Sequence, residues 1–264
     1  MKFSKIILGS AILAMAMGFV SCSDDDDPYN MISGSNNHYS INHTNDTDQI
    51  QRGISSTAFK HAGATLKVSF DTVNSTYTGG SESDRAGVMG VIFDLEEAEG
   101  KKNFYVIGMR SVGKNETSGK KDNAIEYYIS KFENITDLQA VNFGATKTAS
   151  DGEPKETVVV DTWAKASAWN TDGVDSILVY IAQESGEDLQ YDYKVYLLDP
   201  STELDNNGVP TADLSKTTAA ATIDVNYPGS TQKKLSVYAN VYGNQTLVGN
   251  WDYQGTYKQV SLEE

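Results

Sequence analysis

The chain has 264 residues, and 36 Asp and Glu against 21 Lys and Arg give it a formal net charge of −15 at pH 7. A chain this acidic, without a local basic stripe, cannot follow a phosphate backbone, which excludes nucleic acid as a partner. Its single cysteine excludes an internal disulfide framework and a cysteine-based zinc site.

The N-terminus has the pattern of a signal peptide. Lys2 and Lys5 precede a mostly apolar stretch at 6–20, which is too short for a membrane-spanning helix of ~20 residues. The stretch ends in Phe19-Val20-Ser21-Cys22, and small residues before a lone cysteine resemble the lipobox of bacterial lipoproteins. The resemblance implies cleavage after residue 21 and acylation of Cys22, with palmitate among the acyl chains. The alternative is an ordinary signal peptide with an incidental cysteine.

An acidic run follows the cysteine directly and consists of Ser23, Asp24, Asp25, Asp26 and Asp27. The run resembles the export tether of Bacteroidota surface lipoproteins, which implies a protein anchored in the outer membrane by its lipid and displayed at the cell surface. The alternative is a plain solvated linker.

The segment up to residue 48 is rich in Asn, Ser and Thr and has the composition of a spacer. We therefore expect three parts: a signal peptide at 1–21, a lipidated cysteine with a flexible tether at 22–48, and a single β-sandwich domain at 49–264.

Period-two alternation of apolar and polar residues recurs through the rest of the chain and predicts about eleven strands. They lie at 64–70, 88–93, 103–109, 124–132, 157–160, 176–182, 191–198, 220–225, 235–241, 245–249 and 255–260. Helical periodicity is weak, with at most a turn or two at 133–141 and at 209–216. Many strands without a βαβ rhythm favour an all-β fold, an antiparallel β-sandwich.

Three segments in the first half of the domain resemble the concanavalin-like jelly rolls, in which successive long strands have an apolar face and an aromatic face. They are Gly87–Asp94, Asn103–Gly108 and Tyr127–Ser130, and Tyr193–Leu197 adds a later match. Members of that superfamily bind glycans, cleave them or mediate adhesion, so the resemblance implies a fold and leaves the function open.

The sequence does not favour an enzyme. Jelly-roll glycosidases need two carboxylates on one cleft face, but the acidic cluster at 94–99 runs into a turn signal. His61 is the one histidine beyond the expected tether, and no nucleophile elbow or phosphate-binding loop occurs. We therefore expect a non-catalytic protein.

Calcium is the one cofactor that the sequence suggests. Two oxygen-rich, loop-like stretches contain Asp172 and Asp175, and Asp205 and Asn207. Hard cations need several such oxygens on a bent backbone, although neither stretch has EF-hand spacing. The alternative is a set of ordinary solvated turns.

Aromatic residues are the best indication of a binding role. Sugar rings stack their C–H faces on Trp and Tyr, and their hydroxyls need Asp, Asn and Gln partners. The candidate ligand-binding residues are Trp163, Trp169, Trp251, Tyr253 and Tyr257. Core packing is the alternative role of each, because aromatic residues are common in any β-sandwich.

Three functions follow in order of preference. The first is a surface lipoprotein that binds a polysaccharide. The second is a structural, adhesive or assembly component with protein partners at the cell surface, and the third is a glycoside hydrolase.

Overall fold

A computed structural model describes residues 31–35, 37–55, 57–60, 64–72, 74–76, 86–111, 124–136, 155–165, 174–183, 191–225, 234–255 and 258–261. No helix within these ranges is long and apolar enough to cross a membrane. They contain one 3-10 turn, Leu214–Lys216, and fifteen strands. The strands are β1 (Ile32–Ser35), β2 (His38–Asn45), β3 (Gln51–Ile54), β4 (Thr57–Lys60), β5 (Ala64–Phe70), β6 (Gly87–Ala98), β7 (Lys101–Ser111), β8 (Ile125–Ile135), β9 (Lys155–Lys165), β10 (Ser176–Gln183), β11 (Tyr191–Leu198), β12 (Ala221–Val225), β13 (Lys234–Val241), β14 (Gln245–Gln254) and β15 (Lys258–Ser261).

The strands form two antiparallel sheets. The first sheet has the order β1-β2-β14-β5-β10-β11-β12, and the second has the order β15-β4-β13-β6-β7-β8-β9, with β3 also paired to β13. The chain crosses repeatedly from one sheet to the other, as it does in jelly-roll sandwiches. The predicted fold class, an all-β antiparallel sandwich, is confirmed.

Each of the eleven predicted strands corresponds to a strand of the structure, and the predictions at 64–70 and 191–198 match β5 and β11 to the residue. The β6–β7 connection is the turn that the sequence indicates after the acidic cluster at 94–99. Glu99 and Gly100 both have positive φ, 55° and 73°, which is the backbone of a tight two-residue hairpin turn.

The predicted tether requires a correction. Strands β1 and β2 lie inside the range 22–48, and β2 pairs with β14 over eight residues, from Asn45 opposite Gln245 to His38 opposite Asp252. Tyr39 and Ile41 of β2 are 2% and 1% exposed and belong to the core. The sandwich therefore includes residues from at least Ile32 onward, because alternate side chains of this polar segment fill the space between the sheets.

The core lies between the two sheets and is made of the inward-facing side chains of both. Aromatic rings join the sheets: Phe93 of β6 and Tyr193 of β11 pack edge to face with ring centroids 4.9 Å apart. Trp251 of β14 donates its indole N–H to the Gly90 carbonyl oxygen at 3.1 Å. Tyr253 donates its hydroxyl to the Leu235 carbonyl oxygen at 3.2 Å. These bonds satisfy the polar ends of large buried rings, which lets apolar burial stabilise the sandwich without a desolvation cost.

Candidate functional site

Apart from Val248, the outward side of the first sheet is hydrophilic over β2, β14, β5 and the first residue of β10. Inward residues alternate with outward ones along each strand, so the polar half of the pattern faces away from the core. We call this surface the polar face; it consists of His38, Ser40, Asn42, Thr44, Lys67, Ser69, Ser176, Thr246, Asn250, Asp252 and Gln254.

A long loop covers the other half of the same surface. This covering loop runs from Asp199 to Ala220, between β11 and β12. Its Leu204, Leu214 and Ala219 pack against an apolar cluster on the outward side of β10 and β11, made of Leu178, Tyr196 and Leu198. The loop is therefore a packed layer over the sheet, and its border lies beside the polar face.

The tip of the covering loop is fixed by short hydrogen bonds. The Asp205 carboxylate accepts from the backbone N–H groups of Asn207 and Val209, both at 2.8 Å. The hydroxyl of Thr65, on β5, donates to the Gly208 carbonyl oxygen at 2.5 Å. Because Gly208 also lies against the backbone of Gln254, the tip rests on both β5 and β14.

A groove of about 550 Å³ lies between the covering loop and the polar face. Its lining residues come from the sheet, from the loop and from the turn before β2. They are Asn37, Lys67, Leu178, Pro200, Thr202, Leu204, Asp252, Tyr253 and Gln254. The exposed lining is mostly amide, hydroxyl and charged groups with a smaller apolar part, and the volume of the groove is within the ~300–1,000 Å³ typical of ligand sites.

Strand register brings three ionisable residues into one row at the groove. Asp252 is paired with His38 on one side and with Lys67 on the other, and Lys67 is paired in turn with Leu178. The His38 Nδ1 and the Asp252 Oδ1 are 2.6 Å apart, with 56% and 37% of the two side chains exposed. The Lys67 side chain makes no hydrogen bond or ion pair with any residue that the structure describes.

Two tyrosines stack on the same surface, beneath the covering loop. The rings of Tyr180 and Tyr196 are 6.2 Å apart and inclined by 23°. Burial, with smaller contributions from Tyr196 and Asp205, raises the pKa of the Tyr180 hydroxyl above its ordinary value. The Tyr180 hydroxyl is therefore neutral in the physiological range, and the two rings form an aromatic surface beneath the covering loop.

The outward side of the second sheet is different in character. Seven apolar residues on it form a buried cluster: Ile54, Ile92, Phe104, Val106, Phe132, Ile135 and Tyr238. Beside the cluster, Glu156 of β9 is 5% exposed and accepts from the hydroxyls of Tyr128, at 2.8 Å, and Ser130, at 2.7 Å. This carboxylate joins β8 to β9 and is turned away from the polar face.

The structure places two predicted ligand-binding residues in the core, which corrects the sequence interpretation. Trp251 is 0% exposed and Tyr253 is 2% exposed, and both point between the sheets. Their rings cannot stack on a ligand, although the strand that holds them contributes Asp252 and Gln254 to the groove. Only the backbone of Trp163 is described, in β9, and Trp169 and Tyr257 lie outside the described residues.

The predicted calcium ligands are described only in part. Asp205 and Asn207 are exposed on the loop tip, and Asp175 is exposed directly before β10, where its carbonyl oxygen accepts from the Phe70 N–H at 2.7 Å. Asp172 lies outside the described residues, as do Cys22 and the acidic run Ser23, Asp24, Asp25, Asp26 and Asp27. The described ranges contain no group of three or more His, Cys, Asp or Glu that could hold a metal ion.

Apart from Tyr253, the sequence interpretation does not identify the residues that line the groove, nor His38 beside it. The predicted tether includes His38, so the sequence does not indicate its contact with Asp252, 214 positions away. The available signal was the alternation His38-Tyr39-Ser40-Ile41, which is a short strand pattern with two apolar residues on one face. Lys67 gave no signal, because its neighbours on the sheet depend on strand order.

Comparisons with known proteins show only weak similarity. No protein-family model matches the chain, and no curated protein matches it significantly. A functionally unknown protein from Saccharomyces cerevisiae is similar over 87% of this chain and 91% of its own, with 9% identity and a TM-score of 0.36. An alginate lyase solved in complex with an alginate trisaccharide is similar over 83% of this chain and 82% of its own, with 10% identity and a TM-score of 0.32. Likeness at this level carries no argument about function.

Proposed function

We propose that this protein is a lipoprotein of the outer membrane, anchored through acylated Cys22 and facing the cell exterior, that binds a glycan in the groove and does not cleave it. The observation that carries the binding role is the groove itself, in which a row of polar side chains lies beside the smaller apolar surface of Pro200 and Leu204.

The two sides of the groove suit the two chemistries of a sugar. Pro200 and Leu204 provide a small apolar surface for the C–H face of a sugar ring. Asn37, Thr202 and Gln254 provide hydrogen-bonding groups for its hydroxyls. A ligand with both kinds of surface, rather than a purely apolar or purely ionic molecule, matches this lining.

Binding without cleavage is the simplest role for this arrangement. Among the described residues that line the groove, Asp252 is the one carboxylate, and its Oδ1 already contacts His38. Hydrolysis of a glycosidic bond uses two carboxyl groups on either side of the scissile bond. The calcium ion that the sequence suggests is not needed for this role.

The test is affinity electrophoresis of the mature protein in gels that contain a panel of plant, bacterial and animal polysaccharides. We expect at least one polymer to slow the wild-type protein, and we expect Asn37→Ala to reduce this retardation by about threefold or more through the loss of a groove hydrogen bond. Asn42→Ala is the matched control, because Asn42 is an exposed asparagine of β2 outside the groove.

Two results would contradict the proposal. Absence of retardation by every polymer would favour the alternative of a structural or adhesive component with protein partners. New reducing ends in a polymer incubated with the protein would show that it is an enzyme.

A further inference from the structure

We propose that the groove recognises an anionic glycan, one with carboxylate or sulfate groups, and that Lys67 binds the anionic group. This inference rests on the proposed function and specifies its ligand class.

Lys67 is a cationic residue of the groove. Its side chain lines the groove and is half-buried, yet it has no hydrogen-bond or ion-pair partner among the described residues. The chain has 36 Asp and Glu against 21 Lys and Arg, so side chains that could pair with a lysine are in excess. An ammonium group in such a place gains a charge-assisted hydrogen bond when an anion enters.

The carboxylate beside Lys67 in the sheet contacts another residue. Asp252 is the cross-strand neighbour of Lys67 and is the group that could pair with it. Its Oδ1 instead lies 2.6 Å from the His38 Nδ1, on the far side from Lys67. The contact with His38 therefore holds this carboxylate toward β2 and leaves the lysine available.

The described lining of the groove contains two charged side chains. Apart from Lys67 and Asp252, the groove is lined by neutral residues of the covering loop, the sheet and the turn before β2. The strongly acidic protein repels anions in general, so a local cation in a partly desolvated groove is needed for an anionic polymer to bind. Carboxylates and sulfates both satisfy this chemistry, and the experiment separates them.

The experiment compares charged polymers with neutral matched ones in affinity electrophoresis of the mature protein. Polygalacturonate is paired with its methyl ester to test carboxylate recognition, and dextran sulfate is paired with dextran to test sulfate recognition. We expect retardation by one charged polymer and not by its neutral partner, decreasing as NaCl is raised, because salt screens charge pairs.

Variants of Lys67 test whether its side chain causes the retardation by charged polymers. We expect Lys67→Gln to weaken binding about tenfold, the loss that follows when a charge-assisted hydrogen bond is removed. Lys67→Arg keeps the charge and should retain most of the binding. Lys216→Gln is the matched control, because Lys216 is exposed on the covering loop outside the groove. Unchanged thermal unfolding of Lys67→Gln shows that its fold is intact.

The outcomes distinguish this inference from the proposed function. Equal binding of charged and neutral polymers, or unchanged binding by Lys67→Gln, overturns the anionic specificity and leaves glycan binding in place. Binding of no polymer, in this set or in the wider panel, overturns the proposed function and this inference with it.

Discussion

At the scale of single residues, the environment of an aromatic ring decides its role. Trp251 and Tyr253 alternate along β14 with Asn250, Asp252 and Gln254, so the sequence places the two sets on opposite faces. The sequence of the strand alone does not show which of its two faces a second sheet covers. The second sheet covers the aromatic face, so the rings stabilise the core by about 2–3 kcal/mol each, and the polar residues become the candidate site.

Asp199 and Ser201 shape the wall of the groove at the same scale. The Asp199 carboxylate accepts from the Ser201 hydroxyl at 2.6 Å and from its backbone N–H at 2.8 Å, in the turn that presents Pro200 and Thr202. The hydrogen bond from the Ser201 side chain, followed by that from its backbone, lowers the pKa of Asp199. A lowered pKa in the folded state stabilises the fold above the pKa of the unfolded chain, and this stabilisation is lost as the pH falls through the folded value.

We predict that Ser201→Ala raises the pKa of Asp199 toward its ordinary value, since the larger of the two causes is removed. An NMR titration of the aspartate carboxyl carbons measures the change. Asp213, whose pKa is lowered by Ser215 in a separate turn, is the internal control and should titrate as before. An unchanged Asp199 titration would show that the Ser201 hydroxyl does not make this bond in solution.

At the scale of elements, the covering loop is held in place by close backbone contact. Gly208 has a positive φ of 78°, and a Cβ at this position would lie 1.9 Å from the Gln254 carbonyl oxygen. Gly100 has a similar φ of 73° in the β6–β7 turn, but a Cβ there would meet nothing within 4 Å. An alanine at Gly100 therefore has only the conformational cost of a positive φ, whereas an alanine at Gly208 also has the cost of a steric clash.

We predict that Gly100→Ala lowers the free energy of unfolding by about 1–2 kcal/mol, which is the cost of a left-handed conformation for a residue with a Cβ. Gly208→Ala should lower it further and also weaken glycan binding, because the loop tip must move away from Gln254 and the groove wall moves with it. Denaturant unfolding and affinity electrophoresis measure the two effects. Equal losses of stability in both variants, with unchanged binding, would show that the contact of Gly208 with Gln254 does not hold the covering loop in place.

At the scale of the whole molecule, the proposed anchor and the sandwich lie close together in the chain. Ile32 begins β1 ten positions after Cys22, and a fully extended segment of this length spans at most about 35 Å. If Cys22 is acylated as proposed, the first sheet, which contains both β1 and the groove, stays near the membrane surface. The full chain has a net charge of −15, and the excess of acidic side chains in the domain opposes its contact with anionic lipid.

We predict that Cys22→Ser abolishes incorporation of labelled palmitate and moves the protein from the membrane fraction to the soluble fraction, because the thiol is the site of acylation. Ser23→Ala is the control and should be labelled like the wild type. The fold of the sandwich should be unchanged in both variants by circular dichroism. Labelled palmitate in Cys22→Ser, or none in the wild type, would contradict the anchor.

The sequence by itself determined the fold class and the positions of eleven strands, because period-two alternation is a local property of the chain. It did not reveal β1 to β4. The polar residues of β1 and β2 resemble a spacer until Tyr39 and Ile41 are seen to fill the core. It also could not join His38, Asp252 and Lys67, because their contact depends on the order of strands in the sheet. The tertiary structure alone decided which face is buried, where the covering loop rests and therefore where the groove lies, because all three depend on contacts between distant strands.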